Sequence, residues 1–333
     1  MLRAIDRDRY RVIPVGVTRD GAFVLEDDDP DRFTLDPQNM PTVGDNGTRV
    51  LWPEAAGDRR MRVRTADGSI RDLGVVDVVL PILHGSHGED GTIQGFFDTL
   101  ELPYAGGGMI DSALCMDKHF MKMALHASGV PVSPGITVRR GDGDAESVRA
   151  AMGSAPLPWF VKPARAGSSV GVSKVHTPEE LDEALRIAFD EDDKVLVEQG
   201  VVGREVEVGV LEGRAGAPSR ASLPGEIVLT TREFYDFEGK YLGGDGVDVV
   251  CPADLSAAEI ASVQQMALRA FAAVDGRGLA RVDFFLTADG PVVNELNTMP
   301  GFTPISMFPK CWIASGMTYP ELISELIDTA LAR

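Results

Sequence analysis

The sequence predicts a mixed α/β protein, and three observations carry that prediction. Residues 75–83 form a nearly continuous apolar run, as in a strand buried on both faces of a parallel sheet. Residues 281–301 read as two short strands joined by a turn at Asp289-Gly290, because β-branched and aromatic residues flank a hairpin dipeptide. Helical patterns opened by capping residues begin near Thr177 and Ser256. With 333 residues the chain has length for roughly two or three domains with substantial cores.

Taken in order, residues 1–10 look like the last turns of a helix and residues 11–17 like a strand. Residues 26–60 are rich in Asp, Pro, Gly and Asn and read as loop with short strands at most. The apolar run at 75–83 ends in the Gly-rich turn His84-Gly85-Ser86-His87-Gly88-Glu89-Asp90-Gly91, and open α/β sheets place ligands at such strand ends. Plain turn chemistry accounts equally for His84 and Glu89. A helix follows at 92–100, and Gly106-Gly107-Gly108 marks a hinge or domain boundary. Residues 111–128 repeat apolar positions at helical spacing and include Lys118, which alone would be a solvated charge.

A short helix is expected between the Gly/Asp-rich and Pro-rich ends of segment 139–158, and residues 159–163 read as a strand ending in Lys162-Pro163. The strand feeds Ala164-Arg165-Ala166-Gly167-Ser168-Ser169-Val170-Gly171-Val172. Small residues there let backbone approach a phosphate, with N–H groups and hydroxyls as donors, although a flexible hairpin tip fits the composition as well. It lacks the Walker A order. Thr177-Pro178-Glu179-Glu180 opens a helix with Thr as N-cap and Glu180 closing a capping box. Residues 194–201 are a strand running into a connector, and residues 205–210 alternate as a half-buried strand does. Residues 233–245 are aromatic, polar and Gly-containing without a clean period, as in a lid or a packed Ω-loop. Ser256 and Glu259 form a second capping box for a helix to about residue 274; a loop spans 302–307, and the last helix follows Pro320. No internal repeats occur.

Composition narrows the function. The 44% hydrophobic and 25% charged content is that of a soluble globular protein. A formal net charge of −19, from 51 acidic against 32 basic residues, disfavours nucleic acid or an anionic membrane as partner. Cys115, Cys251 and Cys311 are odd in number and widely spaced, which fits ordinary reduced thiols better than a disulfide framework or zinc site. No apolar run reaches membrane-spanning length and the N-terminus lacks a signal-peptide apolar region, so a cytoplasmic protein is expected.

The hairpin at 281–301 concentrates chemistry. Period-two alternation puts Arg281 and Asp283 on one face of its first strand, and Glu295 and Asn297 on one face of its second. If the strands pair, three oxygen donors and a guanidinium converge. Asp, Glu and Asn are hard ligands of the kind Mg²⁺ takes, and a planar, always-charged Arg suits an anion that forms during reaction. An amphipathic hairpin with a wet acidic face is the plainer account of this pattern taken alone.

Several stretches together resemble the ATP-grasp superfamily, and within it the D-alanine–D-alanine ligases. They are His-Gly at 84–85 with Gly-Glu-Asp-Gly at 88–91, Met-Asp-Lys at 116–118, and Val-Lys-Pro with Gly-Ser-Ser-Val-Gly across 161–171. Phe-Tyr-Asp-Phe-Glu-Gly-Lys-Tyr at 234–241, Arg-Val-Asp at 281–283 and Asn-Glu-Leu-Asn-Thr-Met-Pro-Gly-Phe-Thr at 294–303 complete the set. Order and spacing match over essentially the whole chain.

The resemblance implies an α/β (α+β) ATP-grasp fold with a truncated N-terminal Rossmann-like domain at 1–108. A central ATP-grasp subdomain would cover 109–200 and a C-terminal catalytic subdomain 201–333. It further implies ligation of two D-alanines to the dipeptide through an acyl phosphate, for peptidoglycan precursor synthesis, in a homodimer whose only other partners are small molecules. Lys118 and Lys162 would contact ATP phosphates, with Ser168 and Ser169 on the loop above them. Glu198 and Val201 would line the adenine linker, and Glu205 would hold the ribose. Asp283, Glu295 and Asn297 would bind two Mg²⁺ (or Mn²⁺) ions. Arg281 and the Gly301 N–H would face the tetrahedral oxyanion. His84 would lie at the substrate, Ser306 and Met307 would hold the second D-alanine's carboxylate, and Lys240 and Tyr241 would close over the site. Tyr241 disfavours the depsipeptide ligases, which carry a different lid.

Two departures stand out. Family members begin with a strand and a Glu-His-x-Val-Ser loop whose Glu holds the first D-alanine's ammonium; that segment is absent, and Met1-Leu2-Arg3-Ala4 reads as mid-helix. The expectation is a mis-assigned start, and a chain that as written is compromised in folding or activity. Ala166 stands where many relatives carry Glu, which predicts a modest difference in ATP affinity. Two alternatives to the D-alanine–D-alanine ligase reading are a ligase for another D-amino or hydroxy acid and a non-catalytic nucleotide-binding relative.

Overall fold

A computed structural model describes residues 1–32, 41–229 and 247–333; the expected lid at 233–245, with Lys240 and Tyr241, lies outside them. In the N-terminal region β1 (Val15–Val17) pairs antiparallel with β2 (Phe23–Leu25). The strands β3 (Arg49–Leu51), β4 (Arg60–Arg64) and β5 (Ile70–Val75) form a second antiparallel sheet. The helix α1 (Thr92–Thr99) follows as expected. Residues 1–10 form turns only, with Ala4 and Ile5 N–H both donating to Met1 O.

The apolar run at 75–83 is not a regular strand. A parallel strand needs hydrogen-bonded neighbours, and here, beyond Val75 at the end of β5, the run's sheet contact among the described residues is a parallel bridge of Val79 to Tyr104. Its side chains still serve the core. Val78 and Leu80 pack with Leu322, Ile323 and Leu326, while Val79 and Leu83 join Ile93, Phe97 and Tyr104.

The stretch at 111–128 is two helices, α2 (Met109–Met116) and α3 (Lys118–Ala127), broken at Asp117. Asp117 has extended backbone and its carboxylate accepts from the N–H groups of His119 and Phe120, so a helix-capping residue ends one helix and starts the next. A four-stranded antiparallel sheet follows in the order β6 (Gly135–Arg139), β9 (Lys194–Gln199), β7 (Trp159–Pro163), β8 (Ser173–Val175). It is covered by α4 (Ala145–Met152) and α5 (Leu181–Glu191) through Val148, Leu181 and Leu185. The expected Thr177 cap does not form. Residues Pro178–Glu180 are a 3₁₀ turn before α5, and the Glu180 carboxylate accepts from His176 N at 2.7 Å.

The largest sheet has six strands, built on β10 (Arg204–Leu211), which also carries β11 (Arg220–Ala221). Its order is β13 (Val247–Val250), β12 (Gly225–Leu229), β10, β14 (Leu279–Thr287) and β15 (Gly290–Asn297). On one face Val206, Val208, Val210, Val282 and Phe284 pack on Val263, Ala267 and Phe271 of α6 (Ala257–Ala273), whose Ser256–Glu259 capping box forms as expected. The other face receives α7 (Met307–Ala314) and α8 (Tyr319–Leu331) through Leu211, Leu279, Phe308 and Trp312. Helix α8 opens one residue before Pro320, capped by Thr318. β10 is therefore buried on both faces rather than one, because its alternate residues meet α6 and α7.

Gly209 sets how closely α7 can approach. A Cβ there would lie 2.7 Å from Trp312 Nε1 and 3.2 Å from the Phe308 ring. Gly209→Val is expected to overpack this contact and cost about 1–3 kcal/mol, read as a lower urea midpoint at unchanged slope. Gly44→Ala, with nothing within 4 Å of the added atom, is the matched control expected to leave the midpoint unmoved.

Candidate active site

Pairing of β14 with β15 brings together the residues that alternation placed on one face. Arg281 lies opposite Asn297, and Asp283 opposite Glu295. On the other side of β14, β10 sets Glu207 opposite Asp283. Three carboxylates thus stand abreast on adjacent strands. In the sequence Glu207 is one more polar residue of an alternating strand, and its position two residues after Glu205 carries no sign of its partners.

Arg281 grips this row. Its Nε and Nη2 each donate to an Asp283 oxygen at 2.7 Å, and Nε lies 2.9 Å from Glu207 Oε2. The Asn297 amide donates to Asp283 Oδ2 at 3.0 Å. Burial would favour the neutral guanidine, but the charges of Asp283 and Glu207 outweigh it and hold the Arg281 proton well above its ordinary value. With side chains of Arg281, Glu207 and Asp283 at most 15% exposed, two carboxylates share one guanidinium, and the Glu295 charge lies near it. Hard oxygen donors of this kind fit a divalent cation such as Mg²⁺. Among the described residues no three His, Cys, Asp or Glu side chains are gathered closely enough to hold a metal. The expected set differs from that in having two carboxylates, Asp283 and Glu295, and the Asn297 amide, with Asp283 already engaged by Arg281.

A register shift after Asp283 leaves Asn294 as the extra residue of a β-bulge, since Asp283 pairs with Glu295 and Phe284 with Val293. Bulges re-aim side chains. Asn294 Oδ1 accepts from Lys162 Nζ at 3.3 Å, so the end of β7 in the four-stranded sheet reaches the edge of the six-stranded one. Lys162 Nζ also lies 3.0 Å from Glu198 Oε2, and Glu198 contacts Lys122 of α3. Burial would raise the Glu198 carboxyl, but Lys162 and Lys122 hold it down at about 2. Burial lowers the Lys122 pKa. Glu198, expected beside an adenine, has its carboxylate committed to these two lysines.

Lys118 is not a solvated charge. Its backbone N–H donates to Ala164 O at 3.0 Å and its Nζ to Ala166 O at 2.6 Å, which ties the start of α3 to the loop at 164–172. Ser168 and Ser169 both take left-handed backbone, with φ of 52° and 59°. Consecutive non-glycine residues in that region cost energy and concentrate at ligand clamps. Val201 and Glu205 lie at and after the connector from β9 to β10, Glu205 in register with Phe285 and Ile227.

Gly301 and Ser306 adjoin: a Cβ on Gly301 would sit 3.0 Å from Ser306 Oγ. Ser306 Oγ accepts from Thr303 N at 3.2 Å. Met307 begins α7, but its side chain is buried with Ile227 and Cys311, so only its backbone N–H can serve a ligand. The His84 ring lies 3.5 Å from Glu89 Oε1, while Glu89 Oε2 accepts from Gly85 N at 2.6 Å. Leu83 N donates to Met299 Sδ at 3.0 Å, which brings the 84–91 turn beside the loop that carries Gly301. The three glycines at 106–108 are a packed joint, with a Cβ at Gly107 only 3.0 Å from Thr298 and from Ser112.

Glu198 supplies a pH signature. A carboxyl held below its ordinary 4.5 contributes stability that is complete above about pH 4.5 and lost as pH falls toward 2. Glu198→Gln is expected to abolish that dependence and to cost about 3–5 kcal/mol near neutrality, by leaving Lys122 and Lys162 without their carboxylate. Urea midpoints of both proteins at neutral and acid pH measure it.

Residues 1–107 match the family model described as the D-ala D-ala ligase N-terminus, and residues 124–328 that of the D-ala D-ala ligase C-terminus. A D-alanine–D-alanine ligase of Arthrobacter sp. (strain FB24) is 47% identical over 338 residues, spanning 100% of this chain and 88% of that protein. That of Kocuria rhizophila is 48% identical over 339 residues with the same coverage. The solved D-alanine-D-alanine ligase from Coxiella burnetii superposes with a TM-score of 0.79 at 33% identity, covering 99% of this chain and 87% of that one. A D-Ala:D-Ser ligase from Enterococcus faecalis superposes with a TM-score of 0.82 at 30% identity, covering 98% and 92%. No described helix is long and apolar enough to cross a membrane. The chain belongs to the D-alanine–D-alanine ligase family.

Proposed function

We propose that the chain uses ATP to join two D-alanines into D-alanyl-D-alanine, a peptidoglycan precursor. The observation that carries the reading is the Arg281 cluster on β14 and β15, with Lys162 of the facing sheet reaching Asn294 of the same hairpin. Family membership supports the activity, and a phosphate-binding half and an acidic half in contact are what phosphoryl transfer onto a carboxylate requires.

In this reading Lys118, Lys162 and the loop with Ser168 and Ser169 bind and orient the ATP phosphates, with Val201 and Glu205 toward the base and ribose. Asp283, Glu295 and Asn297 hold Mg²⁺ or Mn²⁺, two ions in the proposal, which when bound neutralises charge on the transferring phosphoryl group. Glu198 keeps Lys162 aimed. The amine of the second D-alanine attacks the acyl phosphate of the first, and the Arg281 guanidinium and Gly301 N–H face the oxygen that gains charge. Ser306 Oγ and the Met307 N–H hold the second carboxylate, and His84 with Glu89 borders the first substrate. Lys240 and Tyr241 are proposed to shield the acyl phosphate from water. The proposed domains are 1–108, 109–200 and 201–333, in a cytoplasmic homodimer.

The likeness to a D-Ala:D-Ser ligase keeps a second reading open at Ser306 and Met307, ligation of D-alanine to another D-amino acid. Phosphate release from Mg-ATP, with D-alanine alone and with D-serine added, decides between them. D-alanine alone is expected to drive release matched one to one by dipeptide. Arg281→Met is expected to lower kcat by about 10²–10³-fold, and Arg281→Lys to recover part of it, because a point charge lacks the guanidinium fork. Release that ignores D-alanine, or full kcat in Arg281→Met, overturns the proposal.

A further inference from the structure

Cys251 and Cys311 are 60 residues apart in sequence, yet their sulfurs lie 3.8 Å apart. Cys311 is fully buried on α7, and Cys251 follows β13 and is only half-buried, so it is the more exposed residue of the pair. Around them are Ile227, Val249 and Met307, a pocket of aliphatic and thioether groups that can yield to a small movement of either sulfur. A disulfide needs the sulfurs at about 2.05 Å, so the pair at 3.8 Å must close further for the bond to form.

We infer that Cys251 and Cys311 form a thiol pair that peroxide converts reversibly to a disulfide joining β13 to α7. The two thiols are unequal in the required sense. Contact with the Cys311 thiol, with the Lys310 charge nearby, holds the Cys251 thiol below its ordinary pKa, whereas contact with Cys251 and burial push Cys311 up. The less buried Cys251 thiol is thus the better nucleophile toward peroxide. The Cys251 thiolate attacks one peroxide oxygen, the O–O bond breaks, and sulfenic acid forms with loss of hydroxide, which is protonated to water. Cys311 sulfur then attacks Cys251 sulfur, the S–O bond breaks, and a second water leaves with the Cys311 proton. Two thiols are oxidised by two electrons and one peroxide is reduced to two waters. Cys115, buried in another core with its thiol pushed up by burial, is an internal control. Cys311 shares α7 with Ser306 and Met307, so the bridge fixes the helix that begins at the proposed second-substrate position; the thiol chemistry itself does not rest on that reading.

The test treats the full, reduced chain with equimolar hydrogen peroxide, blocks remaining thiols with an alkylating reagent, and maps peptides by mass. Expected are a 251–311 crosslinked peptide from monomeric protein, Cys115 still alkylated, and full reversal by dithiothreitol. Cys311→Ser is expected to accumulate sulfenic acid at Cys251, trapped with dimedone, and Cys251→Ser to resist peroxide at Cys311. Sulfinic acid at Cys251 without the crosslink, crosslinks only between molecules, or equal thiol loss in Cys251→Ser overturns the inference.

Discussion

Glu207, Asp283 and Glu295 stand side by side on β10, β14 and β15, and the Arg281 guanidinium is set among them. Strands lie about 4.8 Å apart, and like charges at that separation repel by about 3 kcal/mol at an effective dielectric near 20. Two such contacts in one row would work against the sheet's pairing. Arg281 offsets this by forking Asp283 and touching Glu207. The charged row thus follows from strand register itself. The hydrophobic face beneath, Val282 and Phe284 on α6, fixes that register, since a one-residue slip would turn the carboxylates into the core.

The second constraint is how two sheets come to share one site. The link is a bulge residue: Asn294, left without a register partner, accepts from Lys162 across the gap between sheets. Lys162 holds its place because Glu198 is buried against it and Lys122. A buried ion cluster is poor evidence of stability, since desolvation offsets much of the attraction. Its persistence here is better explained by aim, because a hydrophobic substitute would fill the space yet leave the β7 lysine undirected.

Local signals made much of this legible. The 281–297 hairpin, the Ser256 capping box and the Lys-Pro strand end are written within a few residues and form, although the hairpin turn falls on Ala288-Asp289, one residue before the expected Asp289-Gly290, with Gly290 already pairing with Thr287. What stayed hidden depends on partners distant in sequence. Glu207 looked like any alternating residue until β10 met β14. The run at 75–83 looked like a doubly buried strand, but apolarity encodes burial and not hydrogen-bonded neighbours. Thr177 had the right spacing for a cap, yet a 3₁₀ turn put the Glu180 carboxylate on His176 N instead. Lys118 looked solvated because the carbonyl of Ala166, its acceptor, is 48 residues away.

Helix α7 shows how tightly the same few residues are committed. Its far end packs Trp312 over Gly209 of β10, its first turn buries Met307 under Gly225, and its N-cap residue Ser306 adjoins Gly301. Gly209 lies opposite Arg281 across the β10–β14 pair, so the space that admits the helix is at the register position of Arg281 itself. Any displacement of α7 must therefore move either the Ser306 hydroxyl relative to Gly301 or the floor beside Arg281. Close packing transmits such shifts rather than absorbing them. A glycine with no chemistry of its own, and a helix held by Phe308 and Trp312, thus set the distance between the charged row and the loop that would meet the second substrate.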